Sequence, residues 1–575
     1  MRWPCVLLPF LLILVTAGAT QGAGPADDLL ALVPPNAGAT LVIEDLRGLA
    51  RDFFASPVSE GLRELPAVKT WFASERYLQF SQARREIEAA LGAPFAEIRD
   101  DLLGDAVVLT LQPPADGGAG EPRGLLLLRF RDRALLDRLI ATSNESEKQS
   151  GHLLEVLQRR REGIAYSVRS FRPGTKPDEA YAVLPGDIFA WSNSEALVLG
   201  AIDRQGGKPG LGQDPRFRKV RSQLPDRSAV SLFANPPFLD QLLTSAPPSS
   251  PSEERLRSLL RRYLAAVEYV GAAAEWRDGV LLHIREALDP GRLGEPLKRW
   301  AARPGGTAAL VCRVPPSALA VAAANIDFGA VAAAMLSLAP EAARPKVDNL
   351  LLALRGLLLD KDPRSEILPH LGPGLVVYLD DPAGARRPPV VAAITLEGGP
   401  EVAAAIDNAL RTLLAFIALD PKRSQDTSRV EMAMTQGVRV TTLPGLPFAF
   451  AIDRGLLVLG QSPEAIASYL RPDPPAGLGD RFERFRTAYF PRAESFAYID
   501  LERFYAWASA HREELARWLA IRPGASGGPS RRDLEDVLAL LALFRGAFAT
   551  STLEPDGTAA RRTVGLIAKD QSPKP

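Results

Sequence analysis

Apolar and polar residues alternate along two stretches of this chain, and each stretch is broken by an Asp-Gly pair. Val267–Trp276 and Val280–Ala287 flank Arg277-Asp278-Gly279, while Gly546–Leu553 and Thr558–Ile567 flank Pro555-Asp556-Gly557. Period-two alternation around Asp-Gly predicts a β-hairpin, because glycine takes positive φ at little steric cost. Leucines at helical spacing precede both hairpins, in Leu256–Ala265 and Leu534–Phe544. One supersecondary ending therefore occurs twice. This predicts a unit written twice, joined through the Pro- and Gly-bearing stretch Asp289–Gly306.

The remaining pattern supports that reading. The first half predicts strands at Thr40–Glu44, Ala106–Leu111, Gly124–Phe130, Gly163–Phe171, Tyr181–Leu184, Ile188–Trp191 and Ala229–Phe233. Helices are expected at Leu46–Leu65, Trp71–Leu91, near Ala134–Ser143, and after Ser194 as an N-cap. In the second half Ala308–Arg313 answers Leu41–Glu44, and Leu375–Leu379 answers Val107–Leu111. Pro389–Leu396 answers Gly124–Phe130, and helix Glu401–Ala418 answers the one near Ala134. Phe450–Leu470 aligns on Ala182–Ile202 without gaps, which puts Asp453-Arg454-Gly455 on Pro185-Gly186-Asp187 and Ser462 on Ser194.

Strands outnumber helices, and tight turns join several of them. The expected class is α+β: in each of two tandem units a mainly antiparallel sheet, with helices packed on one face. The boundaries read as a signal peptide at 1–19, an N-terminal linker at 20–32, a first unit at 33–288, a linker at 289–306, a second unit at 307–568 and a tail at 569–575.

Composition narrows the function classes. A chain of 575 residues with 46% apolar content is long enough for two cores. Basic and acidic residues number 68 each, which removes the long-range field that nucleic-acid binders use. The N-terminus has a positive Arg2, an apolar run Cys5–Val15 and small residues Ala17-Gly18-Ala19. That is the layout of a signal peptide, cut after Ala19. The run is shorter than the about 20 residues of a bilayer span, so membrane contact is expected only through an uncleaved leader. The mature chain is expected to be exported and soluble, in the periplasm or outside the cell. It keeps one thiol, Cys312, which allows no internal disulfide and reads as a small buried apolar residue in the first strand of the second unit.

Candidate chemistry is sparse. The four histidines (His152, His283, His370, His511) lie far apart, without HExxH, Cys-x-x-Cys or His-x-His, so no metal and no cofactor are expected. No GxSxG elbow is present. The glycine-rich loop Pro113–Pro122 lacks phosphate-cradle spacing, and Arg159-Arg160-Arg161 reads as a solvated strand end or loop. Asp100-Asp101 and Asp380-Asp381 read as turn-solvating pairs. The most specific shared motif is Arg-Phe-x-x-x-Arg, at Arg216, Phe217, Arg221 and at Arg481, Phe482, Arg486. On a helix the ring and the second arginine are one turn apart, so the guanidinium can cover the ring. Two readings stay open: a structural tie, or an anion site for a carboxylate or phosphate head group, formed by Arg216 and Arg221 and again by Arg481 and Arg486.

The signal peptide, the Leu32-Val33-Pro34-Pro35-Asn36 segment before a strand, and the Leu-Gly steps Leu103-Gly104 and Leu371-Gly372 resemble an exported bacterial domain-of-unknown-function family, number 3352. The resemblance implies export and supplies no catalytic residues. Three functions are weighed. The first is a non-enzymatic binding or scaffold protein of the cell envelope, whose partner is an unidentified envelope protein. The second is a carrier of an apolar or amphipathic ligand. The third is a hydrolase whose site is assembled only by the fold.

Overall fold

The computed structural model describes residues 24–113, 121–226, 228–245, 247–276, 278–302, 305–339, 343–381, 386–419, 429–471, 477–520 and 531–569. The expected signal peptide, most of the loop Pro113–Pro122, the stretch 521–530 and nearly all of the C-terminal tail lie outside the described residues. Internal contacts divide the chain into two units. One holds the chain up to Pro247 with Leu264–Asp289 and the end from Gly565, and the other holds Pro248–Tyr263 and Pro290–Val564.

The first unit contains strands β1 (Ala39–Glu44), β2 (Ala106–Gln112), β3 (Arg123–Arg129), β4 (Leu153–Arg161), β5 (Ile164–Phe171), β6 (Glu179–Leu184), β7 (Ile188–Ser192), β8 (Val230–Ala234), β9 (Val267–Trp276) and β10 (Gly279–Leu288). They pair antiparallel in the order β4-β5-β6-β7-β3-β2-β1-β8-β9-β10. The β9–β10 turn holds Asp278 and Gly279 at φ 53° and 146°, the region that Asp-Gly favours.

Side-chain alternation sends neighbouring residues of one strand into different cores. Val42, Val108, Leu125, Leu127 and Ala190 meet helices Pro25–Leu32, Glu195–Gln205 and Pro215–Arg221. The residues between them, Ile43, Val107, Leu126, Leu128 and Phe189, meet helices Leu46–Phe54, Phe95–Leu102 and Arg133–Gln149. Helices therefore cover both faces of this sheet, which corrects the one-face expectation. The reason is in the strands: AVVLTL and GLLLL are continuous apolar runs, and a strand apolar on both sides needs cover on both. The long helix expected at Leu46–Leu65 is two short ones, Leu46–Phe54 and Pro57–Glu64; a further helix, Pro66–Phe72, precedes Glu75–Leu91, which stands in place of the expected Trp71–Leu91. Pro57 and Pro66 each begin a helix, because proline suits the first turn and not the interior.

The remaining strands are β11 (Ala320–Asn325), β12 (Leu371–Leu379), β13 (Val390–Leu396), β14 (Glu431–Thr435), β15 (Val438–Thr442), β16 (Ala449–Asp453), β17 (Leu456–Gly460), β18 (Ser495–Asp500), β19 (Phe544–Leu553) and β20 (Ala559–Ala568), all in the second unit except the end of β20 from Gly565. Their antiparallel order is β14-β15-β16-β17-β13-β12-β11-β18-β19-β20. Leu457 and Leu459 pack toward helix Gly399–Ala418. Gly460, on the other side of β17, lies against Ile466 of helix Pro463–Tyr469.

Three further expectations are corrected here. Ala308–Val311 is a short helix, and the first strand is β11, whose AVAAAN sequence has weak strand preference. Pairing with β12 and β18 on its two sides overrides that preference. Cys312 ends the short helix and is exposed; its thiol donates to the Ala309 carbonyl at 3.1 Å. The gapless match of Phe450–Leu470 to Ala182–Ile202 holds for β17 on β7 but slips by one at β16. Two residues, Arg454-Gly455, turn β16 into β17, whereas three turn β6 into β7.

Candidate functional site

The Arg-Phe-x-x-x-Arg motif falls on a helix in each unit. Asp214 caps helix Pro215–Arg221 by accepting from the Arg216 and Phe217 backbone. Phe217 is buried against Phe233 and Tyr269, with ring centroids 4.6 and 5.9 Å away. Arg221 covers the Phe217 ring at 6.0 Å and reaches Asp27 at 2.7 Å and Glu44 at 3.6 Å. Arg216 pairs with Asp214 at 2.8 Å. Burial pushes the Glu44 carboxyl up, against the opposing pull of Arg221. In the second unit Phe482 packs on Phe496 and Tyr498 at 5.7 and 5.1 Å. Arg481 lies 3.3 Å from Asp500 and bonds Glu502, and Arg486 lies 2.7 Å from Glu483. All four arginines thus face carboxylates of their own unit.

The other singled-out residues have local partners. His283 sits 3.2 Å from Glu275 across the β9–β10 ladder. Asp380 is buried and accepts from the Ser317 hydroxyl at 2.5 Å. Ser462 caps its helix by accepting from Ala465 N–H, whereas the Ser194 side chain makes no capping bond. Asp100 and Asp101 lie in helix Phe95–Leu102. Among the described residues no group of three or more His, Cys, Asp or Glu side chains is arranged to hold a metal ion.

The densest polar interior is elsewhere, and none of its charged residues stood out in the sequence. On β5, Tyr166 and Val168 face an apolar core, while Arg169 and Phe171 lie on the opposite side of the strand. Arg169 stands directly across from Glu179 on β6. Their Nη1 and Oε2 atoms are 2.8 Å apart, and the side chains are 8% and 9% exposed. Lys176, in the β5–β6 loop, reaches Glu179 at 3.0 Å and Glu147, in the last turn of helix Arg133–Gln149, at 2.7 Å. His152 Nδ1 approaches Glu147 at 3.5 Å, and Trp191 Nε1 donates to Glu179 at 3.4 Å. The Phe171 ring lies under both cations, 5.2 Å from Arg169 and 4.1 Å from Lys176. Burial raises the Glu147 carboxyl, but its bond to Lys176 and the charges of Lys176 and Arg169 outweigh this, leaving it below the usual carboxylate range.

Two cations and two carboxylates balance in charge but not in hydrogen bonds. Arg169 Nε and Nη2 are buried without a partner, as is the Oδ1 of Asn144, one turn before Glu147 on the same helix. Such orphans are rare in native interiors.

The same steps can be counted along the strands of the second unit, whose pairing order matches. Ala180 pairs with Ser192, which pairs with Leu125; Ala449 pairs with Gly460, which pairs with Val391. On the next strand Val168 opposes Ala180, and Thr442 opposes Ala449. One step outward comes the Arg169–Glu179 pair in the first unit, whereas in the second unit Leu443 and Phe448 lie just beyond the paired ends of β15 and β16. Leu443 is fully buried, in an apolar cluster with Leu414, Ala418, Phe450 and Phe448. A signal for the charged interior was present in the sequence: Arg169 breaks an otherwise uncharged strand, IAYSVRSF. No protein-family model, curated protein or solved structure matches this chain.

Proposed function

We propose that this is an exported, non-enzymatic binding protein of the cell envelope, built from one α+β unit written twice, and that the first copy does the binding. Support for the duplication comes from the strand orders, which coincide position by position through ten strands. Val33-Pro34-Pro35 leads into β1 as Val314-Pro315-Pro316 leads into β11. The residue after each Val-Pro-Pro meets the end of the second strand: Asn36 bonds Gln112 at 3.1 Å, and Ser317 bonds Asp380. Export follows from the leader and from the family resemblance. No helix of the described residues is long and apolar enough to cross a membrane.

The observation that carries the binding reading is the exchange of an apolar pair for a buried ion pair at one place. Buried ion pairs seldom stabilise a fold more than apolar residues of similar volume would. Leu443 and Phe448 indicate that this architecture needs no charge there, so Arg169, Glu179, Lys176 and Glu147 are assigned to ligand binding. The test is native mass spectrometry of the full chain purified after export, beside the Arg169→Leu/Glu179→Leu variant. A small-molecule adduct on the wild type and not on the variant supports the reading. Identical masses beyond the substitutions, with the variant fully folded, overturn it.

A further inference from the structure

Resting on that reading, we infer that the first unit holds a small organic monocarboxylate on the Nε–Nη2 edge of Arg169. The guanidinium offers two edges, and the structure uses one of them. Nη1 is bound to Glu179 at 2.8 Å, while Nε and Nη2, which point side by side, are buried and unpartnered. That free edge is the fork which takes both oxygens of a planar carboxylate. The guanidinium carbon sits over the Phe171 ring at 5.2 Å, a cation–π contact that uses neither Nε nor Nη2 as a hydrogen-bond donor.

Charge selects the class of anion. Arg169 and Lys176 are already matched by Glu147 and Glu179. A monocarboxylate adds one negative charge to this balanced group, the smallest excess that an anion can bring into a desolvated site. A phosphate dianion meets two fixed carboxylates with no second free cation in this group. The unpartnered Asn144 Oδ1 lies on the same helix face as Glu147 and gives a hydroxyl or amino group of the ligand an acceptor. Lys176 is the most exposed of the four charges, at 30%, and sits on the β5–β6 loop, so the ligand enters past it.

The experiment is saturation-transfer NMR of the mature protein with acetate and glycolate as the observed ligands and inorganic phosphate and sulfate as competitors. Wild type is compared with Arg169→Lys, which keeps the charge and loses the fork, and with Arg169→Leu/Glu179→Leu. Saturable acetate and glycolate signals in the wild type are expected, weakened about ten-fold in Arg169→Lys and not displaced by phosphate. Absence of a saturable carboxylate signal in the wild type, or an unchanged one in Arg169→Lys, overturns the inference. Equal competition by phosphate or sulfate overturns the carboxylate class while leaving the charged interior as a binding site. Undiminished binding of every probe by the double-leucine variant overturns both. Thermal unfolding of the wild type in acetate against chloride at equal ionic strength asks the same question without a variant. A saturable rise in acetate supports the inference, and identical curves refute it.

Discussion

Replacing Arg169 and Glu179 singly and together separates a charge pair that the fold requires from one that it tolerates. Glu179→Leu removes the bonds to Arg169 at 2.8 Å, to Lys176 at 3.0 Å and to Trp191 at 3.4 Å. Lys176 keeps Glu147 and is exposed enough to hydrate. Arg169 has no such recourse, because its other two side-chain nitrogens are already buried without partners. The expected loss is that of a broken buried pair, about 3–5 kcal/mol. Arg169→Leu costs less, about 1–3 kcal/mol, since Glu179 retains Lys176 and Trp191. The double variant copies the apolar character of Leu443 and Phe448 and is expected within about 1 kcal/mol of wild type. The coupling free energy is then about 3 kcal/mol or more in favour of changing both. Urea unfolding of the full chain, with amide hydrogen exchange read on peptides covering β5 and β6, assigns the effect to the first unit. A double variant as unstable as the two single losses added together would refute the reasoning, because the pair would then be part of what holds the sheet.

Three other outcomes follow from the same geometry. Arg221→Met strands Glu44 beside Asp27 and is expected to cost about 1–3 kcal/mol at neutral pH, whereas Arg486→Met, whose partner Glu483 is half-exposed, costs under about 1 kcal/mol; paired urea titrations check the contrast. Burial holds the Asp380 carboxyl above its ordinary 3.8, with the Ser317 bond opposing. A raised acid favours the protonated fold, so its stabilising contribution is present below about pH 3.8 and is lost as pH rises through the folded value. Asp380→Gln should therefore gain in melting temperature over wild type as pH goes from about 3.5 to about 7, and a pH-independent difference would count against this. Ser462→Ala removes a helix cap and should cost about 1 kcal/mol, while Ser194→Ala, whose hydroxyl makes no capping bond, should change stability by under about 0.5 kcal/mol.

The elements that could be read from sequence are those whose signal is local. The β9–β10 hairpin, β2, β3, β7 and helix Gly399–Ala418 match their patterns because alternation, Asp-Gly and helical spacing act within about ten residues. The failures have a different physical origin. The alanine-rich β11 is a strand only through its neighbours on both sides, while Ala308–Arg313 has a strand-like apolar run but ends in a short helix before Pro315-Pro316. Apolar runs in β2 and β3 did announce two buried faces, though tight turns drew attention to a half-exposed sheet. The arginine motif was legible and its rings are core, since Phe217 and Phe482 pack on strand residues in the same way. Of the charged interior only Arg169, alone in an uncharged strand, left a local signal; its partners come from β6, a loop and the end of a helix, separated by as many as 32 residues between Glu147 and Glu179 and brought together only by the fold.

On the duplicated-unit reading, each copy serves as a control for the other without any outside relative. Where both copies keep a polar contact in changed chemistry, as Asn36–Gln112 and Ser317–Asp380 do, the fold demands a hydrogen bond at that point and tolerates either pair. Where both keep packed aromatic rings, as at Phe217–Phe233 and Phe482–Tyr498, the demand is for apolar volume. The Arg169–Glu179 position follows neither rule, since one copy is charged and the other is Leu443 beside Phe448. A position free to be apolar, yet occupied by a desolvated ion pair with two unpartnered donors, carries a standing cost of several kcal/mol by order of magnitude. Selection for stability alone would remove that cost by substitutions the second copy already contains. Binding is the requirement that would keep it, and this is why the double-leucine variant should lose its ligand while keeping its fold.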